Sequence, residues 1–432
     1  MKRRYISYIF IATIILAACS HRPPAERDYE DISYNPFVTE LEETGIPIIQ
    51  IATNDGQEID SKSKWKAAIL KVTGNRCGFD DLTIDGIKIK GRGNTTWGLP
   101  KKPYTIKMVS QSEMLGMKKS KRWVLIANYS DKTLLRNYYA SYLGNSLYNA
   151  CWNPSFKSVH LILNNRYRGV YLFGEQIKID KNRVNIKDIS KTGTDDGGFI
   201  VEINERLDEK FNFKTEKGVC ISLKDPDNVN SEIQQKVQMM IQSAEDALFK
   251  KHLEDPENGW RKFFDEESVI DWYLTNEITK NIDAAYWGSI YFYYDPNDSL
   301  FHMGPNWDFD ISCGNVYYDG GDKFSGLFIK KRSVWIRRMF SDPEFVAKLK
   351  HRWNSTKQEL YESINYWIPK QAALLENSAT YNFKKWQILG NYVWPNEFEY
   401  SKRKTYQSEV DYLIDWLNLR YEYLDKAINK LK

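Results

Sequence analysis

Asn306-Trp307-Asp308-Phe309-Asp310 runs on into Ile311-Ser312-Cys313-Gly314-Asn315, and the other segments are best understood from it. Two carboxylates stand two residues apart, behind a strand-like run at 289–294 and a short hairpin. If the backbone stays extended, Asp308 and Asp310 project to the same side. Two acids on one face repel and desolvate each other, and a hard cation such as Mg²⁺ or Mn²⁺ between them relieves both costs. The plainer reading is a solvated turn anchored by Phe309. The choice between the two rests on the rest of the chain.

Moving upstream, 266–280 reads as a helix that ends in Asn281-Ile282-Asp283-Ala284-Ala285, and Asp308 follows Asp283 by 25 positions. Further upstream lies a glycine-bracketed loop, Gly91-Arg92-Gly93-Asn94-Thr95-Thr96-Trp97-Gly98, which leads through Lys101-Lys102-Pro103 into a strand at 104–109. Between residues 88 and 122 there are ten Lys and Arg and one acid, Glu113. Exposed amides near glycines, beside Arg92 and Lys107, suit a phosphate. The loop is neither a Walker motif nor GxGxxG, so alone it also reads as a hairpin loop with solvated lysines.

The other elements divide the chain. Strands are expected at 46–52, 65–73, 82–90 (with a hairpin at Asp85-Gly86), 123–127 and 199–203, the last carrying Glu202. A hairpin is expected over 159–163 and 169–179, turning at Asn164-Asn165 and carrying Glu175, and another over 211–223. One helix, 132–148, follows a cap at Ser130 or Asp131. After residue 228 the pattern turns helical, with amphipathic runs at 232–253, 345–376 and 405–431. The class is therefore α+β: a β-rich region at 45–228 and a helical region at 229–432.

Composition is that of an ordinary globular chain of 432 residues, 42% hydrophobic and 27% charged, long enough for two lobes or domains. A net charge of +4 implies no polyanion partner, and no nucleic acid is expected. The 14 Trp and 28 Tyr belong mostly to packing. Met1-Lys2-Arg3-Arg4, the apolar run 5–15 and Leu16-Ala17-Ala18-Cys19 fit a lipoprotein signal peptide over 1–18, with Cys19 as the lipidated residue. Residues 19–44 read as a flexible tether. The expected location is the bacterial cell envelope, in the outer membrane or at the cell surface. The remaining four Cys show no disulfide framework, and the five His are scattered, so no zinc spacing emerges.

A basic loop on a β-rich half followed by spaced acids on a helical half is the plan of phosphoryl transfer. The chain resembles the spore-coat-protein-H (CotH) family of kinase-like proteins. The residues that carry the resemblance are Lys90 to Trp97 with Lys102 to Lys107, Asn128 to Asp131 with Leu135-Arg136-Asn137, and Gly169 to Glu175, then Asn281-Ile282-Asp283 and Trp307 to Asp310. The resemblance implies an atypical protein-kinase-like, two-lobed fold that uses ATP with Mg or Mn to phosphorylate Ser or Thr of exported proteins. It implies Lys107 as the strand lysine on the nucleotide phosphates, with Glu175 or Glu202 as its partner. Asp283 would accept the hydroxyl proton, Asp308 would hold the metal with Asp310 as a second ligand, and Arg92, Gly93 and Asn94 would cover the phosphates. The sequence departs from common kinases in having no His-Arg-Asp and in reading Asp-Phe-Asp for Asp-Phe-Gly. Two other functions stay open: a non-catalytic surface binding protein or adhesin on the same scaffold, and a carbohydrate-active protein built on the aromatics and paired acids.

Overall fold

The alternating apolar residues of the first half wrap into a barrel in a computed structural model, which describes residues 36–192 and 196–432. Strands β1 (Ile48–Thr53), β2 (Lys66–Thr73), β3 (Leu82–Gly91), β4 (Tyr104–Met114), β5 (Met117–Ile126), β6 (Phe156–Leu163) and β7 (Arg166–Glu175) close in the order β1-β2-β3-β4-β5-β7-β6. Neighbours are antiparallel except β1 and β6, which seal the barrel in parallel with Ile48 opposite His160. Every second side chain points inward. Ile49, Leu70, Ile89, Ile106, Leu125 and Leu161 fill the interior around Trp123, which stacks on Phe173 at 5.1 Å. The outward face of β3 and β4 keeps polar residues, Lys90 opposite Thr105 and Lys88 opposite Lys107.

Local differences from the sequence reading have identifiable causes. β3 runs straight through Asp85-Gly86, where a hairpin turn is expected. Both flanks pair with β2 and the register slips between them, so Gly86, at φ +73°, sits in a β-bulge. The turn lies instead at Leu115-Gly116, between β4 and β5. Residues 36–44 are not tether. Helix α1 (Pro36–Glu42) packs Leu41 against Ile48 and Ile162, and Thr44 Oγ1 lies 2.8 Å from His160 Nε2. Residues 1–35, including the leader and Cys19, lie outside the described residues. After α2 (Thr95–Gly98), the helix expected from 132 begins four residues late, as α3 (Arg136–Tyr142). The Asp131 carboxylate accepts the Thr133 and Arg136 amides and holds the intervening residues as a loop. The Asn164-Asn165 turn forms as expected, with φ +50° and +59°.

Past α4 (Ile189–Thr192), a second sheet contains β8 (Phe199–Ile203), β9 (Asn212–Lys214), β10 (Cys220–Asp225), β11 (Ile290–Asp295) and β12 (Leu300–Met303), in the order β12-β11-β8-β10-β9. Three of its strands precede residue 228 and two follow it, so the compositional boundary at 228 does not divide the sheet. Helices α5 (Ser231–Phe249), α6 (Glu266–Thr279), α7 (Phe328–Arg332), α8 (Val334–Met339), α9 (Pro343–Glu362), α10 (Ile368–Lys385) and α11 (Tyr406–Asn429) share one apolar core with that sheet. The long helix expected at 345–376 is interrupted by a π-turn at 363–367, just before Pro369 removes an amide donor. α11 opens on a capping box at Thr405 and Ser408. Its Arg420 is fully buried against Glu277 of α6 at 2.6 Å. The same carboxylate accepts the amides of Phe328, Ile329 and Lys330, which ties α6, α7 and α11 together. The described chain is thus a mixed α+β protein, β-rich first and helical later. Among the described residues no helix is long and apolar enough to cross a membrane, and all four cysteines are free thiols.

Candidate active site

A cleft of about 1080 Å³ opens between the outer face of the barrel, the second sheet and the segments that follow α6 and β12. Arg92, Gly93, Asn94, Glu202, Asp283, Asp308 and Asp310 all line it, although they come from separate stretches of chain.

The barrel contributes the glycine loop. Gly93, at φ +79°, turns the chain so tightly that a Cβ there would meet Thr96 Oγ1 at 2.2 Å, so only glycine fits. Arg92 donates its amide to the Pro103 carbonyl at 3.2 Å and lays its guanidinium 4.9 Å from the centroid of the Trp307 ring. That contact carries Arg92 across the cleft to the acidic segment. The amides of Gly93, Asn94, Thr95 and Thr96 donate to no acceptor among the described residues and are left to solvent.

The acidic segment is not a strand. β12 ends at Met303, and Asp308 takes a left-handed conformation at φ +67°. The two acids therefore converge through a turn and not through the alternation of an extended chain. The turn is held from outside. Asn137 Oδ1 accepts the Phe309 amide at 2.7 Å, and Arg136 donates to the carbonyls of Ser312 at 3.1 Å and Cys313 at 3.3 Å. Asn315 donates to the Asp310 carbonyl at 2.7 Å. Two of the three anchoring residues come from the motif around Leu135-Arg136-Asn137, which acts here as a clamp on the Asp308 turn. Ser289 Oγ lies 3.3 Å from Asp308 Oδ2, and Ser130 Oγ lies 3.4 Å from Asp310 Oδ2.

Asp283 follows the left-handed Lys280 that ends α6. Its carbonyl accepts the Trp287 amide at 3.1 Å, so the backbone makes the local turn. Its carboxylate receives no hydrogen bond among the described residues and is left to the cleft. Burial, then the charge of Asp308, pushes Asp283 up to about 7. Burial also raises Asp308, against the pull of Arg92. Asp310 is raised well above the usual carboxylate range by burial, then by Asp308 and Asp283. Burial and mutual repulsion thus make the ionised forms of the three acids costly, a cost that a bound cation would relieve. Asn281 adds an acceptor: its Nδ2 lies 3.4 Å from the Asp308 carbonyl, and its buried Oδ1 has no hydrogen-bond partner. Hard oxygen donors whose ionisation a cation would favour fit Mg²⁺ or Mn²⁺.

Two expectations need correction. Lys107 is exposed on the outer barrel face, two register positions beyond Lys90 and Thr105, and does not line the cleft. A strand places alternate residues on one face but does not say how far along the strand the cleft extends. Glu175 is buried outside the cleft, where it pairs with Arg183 at 2.6 Å and accepts the Ser155 amide at 2.9 Å. Glu202 is the acid that lines the cleft, and its lysine is Lys224 on β10, at 3.0 Å. Glu202 also accepts the Ser289 amide at 2.9 Å, which links it to the residue that contacts Asp308. Lys224, Arg206 and Tyr291 line the cleft as well and carry no motif in the sequence; strand alternation from Glu202 is the one available signal, and it does not identify a cross-strand partner.

A second acidic group, Asp295, Asp298 and His302 on the β11–β12 hairpin, brings its side-chain ligand atoms within 4.8 Å of one another. His302 is raised to about 10; burial opposes the rise, while Asp265 and Cys151 drive it. Both His302 ring nitrogens already face carboxylates, Nε2 facing Asp298 at 2.9 Å and Nδ1 facing Asp265 at 3.5 Å, so this group reads as an ion pair.

A family model described as CotH kinase protein matches residues 88–424, which include the glycine loop, all three cleft acids and most of the helices. No curated protein matches the chain by sequence.

Proposed function

We propose that this chain, which belongs to the CotH kinase family, is an exported atypical protein kinase with a two-lobed, kinase-like plan that moves the γ-phosphoryl group of ATP to Ser or Thr of extracytoplasmic proteins. The observation that carries the reading is the convergence of Asp283, Asp308 and Asp310 with Arg92 and the Glu202–Lys224 pair in one cleft large enough for a nucleotide. Lipidation at Cys19 would tether the protein to the envelope membrane, within reach of substrates there.

Each residue has a part that follows from its surroundings. Asp308 and Asp310 would hold Mg²⁺ or Mn²⁺, with Asn281 beside them. Such an ion supplies charge neutralisation at the phosphoryl oxygens. Arg92, stacked on Trp307, meets the phosphates from the barrel side together with the free amides of the glycine loop. Lys224 takes the role expected of Lys107, with Glu202 fixing its position. Asp283, held near neutrality, exchanges a proton readily at physiological pH and is the group to accept it from the attacking hydroxyl.

The test uses the full chain with Mn²⁺, labelled ATP and a Ser-rich acceptor. Binding of Mn²⁺-ATP is expected to raise the melting temperature. Arg92→Ala is expected to weaken nucleotide affinity about tenfold or more, and Lys107→Ala to leave it within about twofold. Nucleotide binding without transfer would select the non-catalytic scaffold, and absence of binding would overturn the proposal.

A further inference from the structure

The loop that joins β8 to β9 carries two cations, Arg206 and Lys210, of which only Arg206 lines the cleft. Arg206 lines the cleft, is exposed, and has no ion pair or side-chain hydrogen bond among the described residues. The loop beneath it is tightly built. Asn204 Oδ1 accepts the Arg206 amide at 3.1 Å, and Asn204 Nδ2 donates to Asp208 at 2.9 Å. The Glu205 amide donates to the Trp287 carbonyl at 3.1 Å, which joins this loop to the Asp283 segment. Leu207 takes a left-handed φ of +49° to complete the turn. The backbone is therefore pinned while the guanidinium stays free to reach. What it faces is acidic: Asp283, Asp308 and Asp310 line the same cleft. Arg92 reaches the same acids from the barrel loop, but it is committed to the Trp307 ring.

We propose that Arg206 is a catalytic arginine supplied in cis, which contacts the transferring phosphoryl group from the sheet side of the cleft while Arg92 holds the nucleotide from the barrel side. The inference rests on the phosphotransferase reading above and adds a residue to it. In the step it serves, the acceptor oxygen bonds to the γ-phosphorus and the bond to the β–γ bridging oxygen breaks. The leaving diphosphate takes that electron pair, and the hydroxyl proton passes to Asp283. Charge develops on the equatorial oxygens, where a planar guanidinium offers paired donors that an ammonium cannot match. An unpaired guanidinium on a fixed loop can move onto those oxygens without breaking an existing contact.

The experiment compares full-length wild type, Arg206→Ala and Arg206→Lys. Affinity is measured for Mg²⁺ with a non-hydrolysable ATP analogue and for Mg²⁺-ADP with aluminium fluoride, a mimic of the transferring group; kcat and KM for ATP turnover are measured beside them. Arg206→Ala is expected to keep analogue affinity within about twofold, to lose the extra affinity for the fluoride complex, and to lower kcat about 10²–10³-fold with little change in KM. Arg206→Lys is expected to recover only a small part. Unchanged kcat and fluoride affinity in Arg206→Ala would overturn the proposal, as would an equal loss for analogue and fluoride complex, which marks a plain binding residue. A wild type that binds no Mg²⁺-nucleotide would overturn the phosphotransferase reading itself.

Discussion

Replacing Asp308 by Asn tests the electrostatics of the cleft without testing its backbone. Asp308 sits at φ +67°, a conformation that Asn tolerates and Ala resists, so the amide keeps the turn and removes the charge. The magnitude starts from Asp283, displaced from its ordinary 3.8 to about 7 by burial first and Asp308 second. That displacement corresponds to about 4 kcal/mol withheld from the folded state when Asp283 is charged. Between about pH 4 and 7 the folded chain binds a proton that the unfolded chain has released. Stability without metal therefore falls as the pH rises through that window and stays low above it. Removing the Asp308 charge deletes one repulsive partner, about 1–2 kcal/mol at an effective dielectric near 20. For a chain of this size that is a rise of about 1–2 °C in melting temperature at pH 8 without metal. The same change removes a metal ligand. At Mn²⁺ about 100-fold above its dissociation constant, wild type is expected to gain about 2.7 kcal/mol, or about 3 °C, and the variant to gain little. Scanning calorimetry at pH 8, with and without Mn²⁺, reads both effects. An Asp308→Asn variant that melts below wild type without metal, or that keeps the full Mn²⁺ shift, would refute the argument.

Two further outcomes follow from the same geometry. If Asp283 accepts the hydroxyl proton, kcat/KM is expected to rise with pH through about 7, and Asp283→Asn to flatten that limb and cost at least about 10²-fold in kcat while nucleotide affinity holds; a profile unchanged in Asp283→Asn would remove it from that role. Arg420→Met leaves the Glu277 carboxylate buried without its partner, so urea unfolding is expected to report a loss of about 3–5 kcal/mol; a loss below about 1 kcal/mol would mean that the three amides on Glu277 suffice to hold it.

Periodicity identifies most strands and helices because a two-residue or 3.6-residue repeat records which face is buried. It fails at Asp85-Gly86, where the same dipeptide serves a bulge or a hairpin and only the partner strand decides. It is also insufficient at residues 36–44, where Phe37, Val38 and Leu41 stand among acids and threonines in a run too short to show a repeat, yet pack against Ile48 and Ile162. Cleft residues are legible where a motif carries them: Arg92, Asp283, Asp308 and Asp310 all line one cleft. Lys107 and Glu175 fit by type and spacing, but each occupies a different environment from the cleft.

The α+β class, the family and the acids around which the cleft is built are all written in the chain's local pattern, since they rest on periodicity and on chemistry that few residue types can supply. Long-range packing sets which lysine faces which glutamate, braces the Asp308 turn with Arg136 and Asn137, and leaves Arg206 unpaired at the acidic cleft. The reason is physical. A one-dimensional pattern encodes how a segment divides itself between solvent and core, whereas the identity of a neighbour across a cleft depends on register, bulges and loop anchoring contributed by segments far away in the chain.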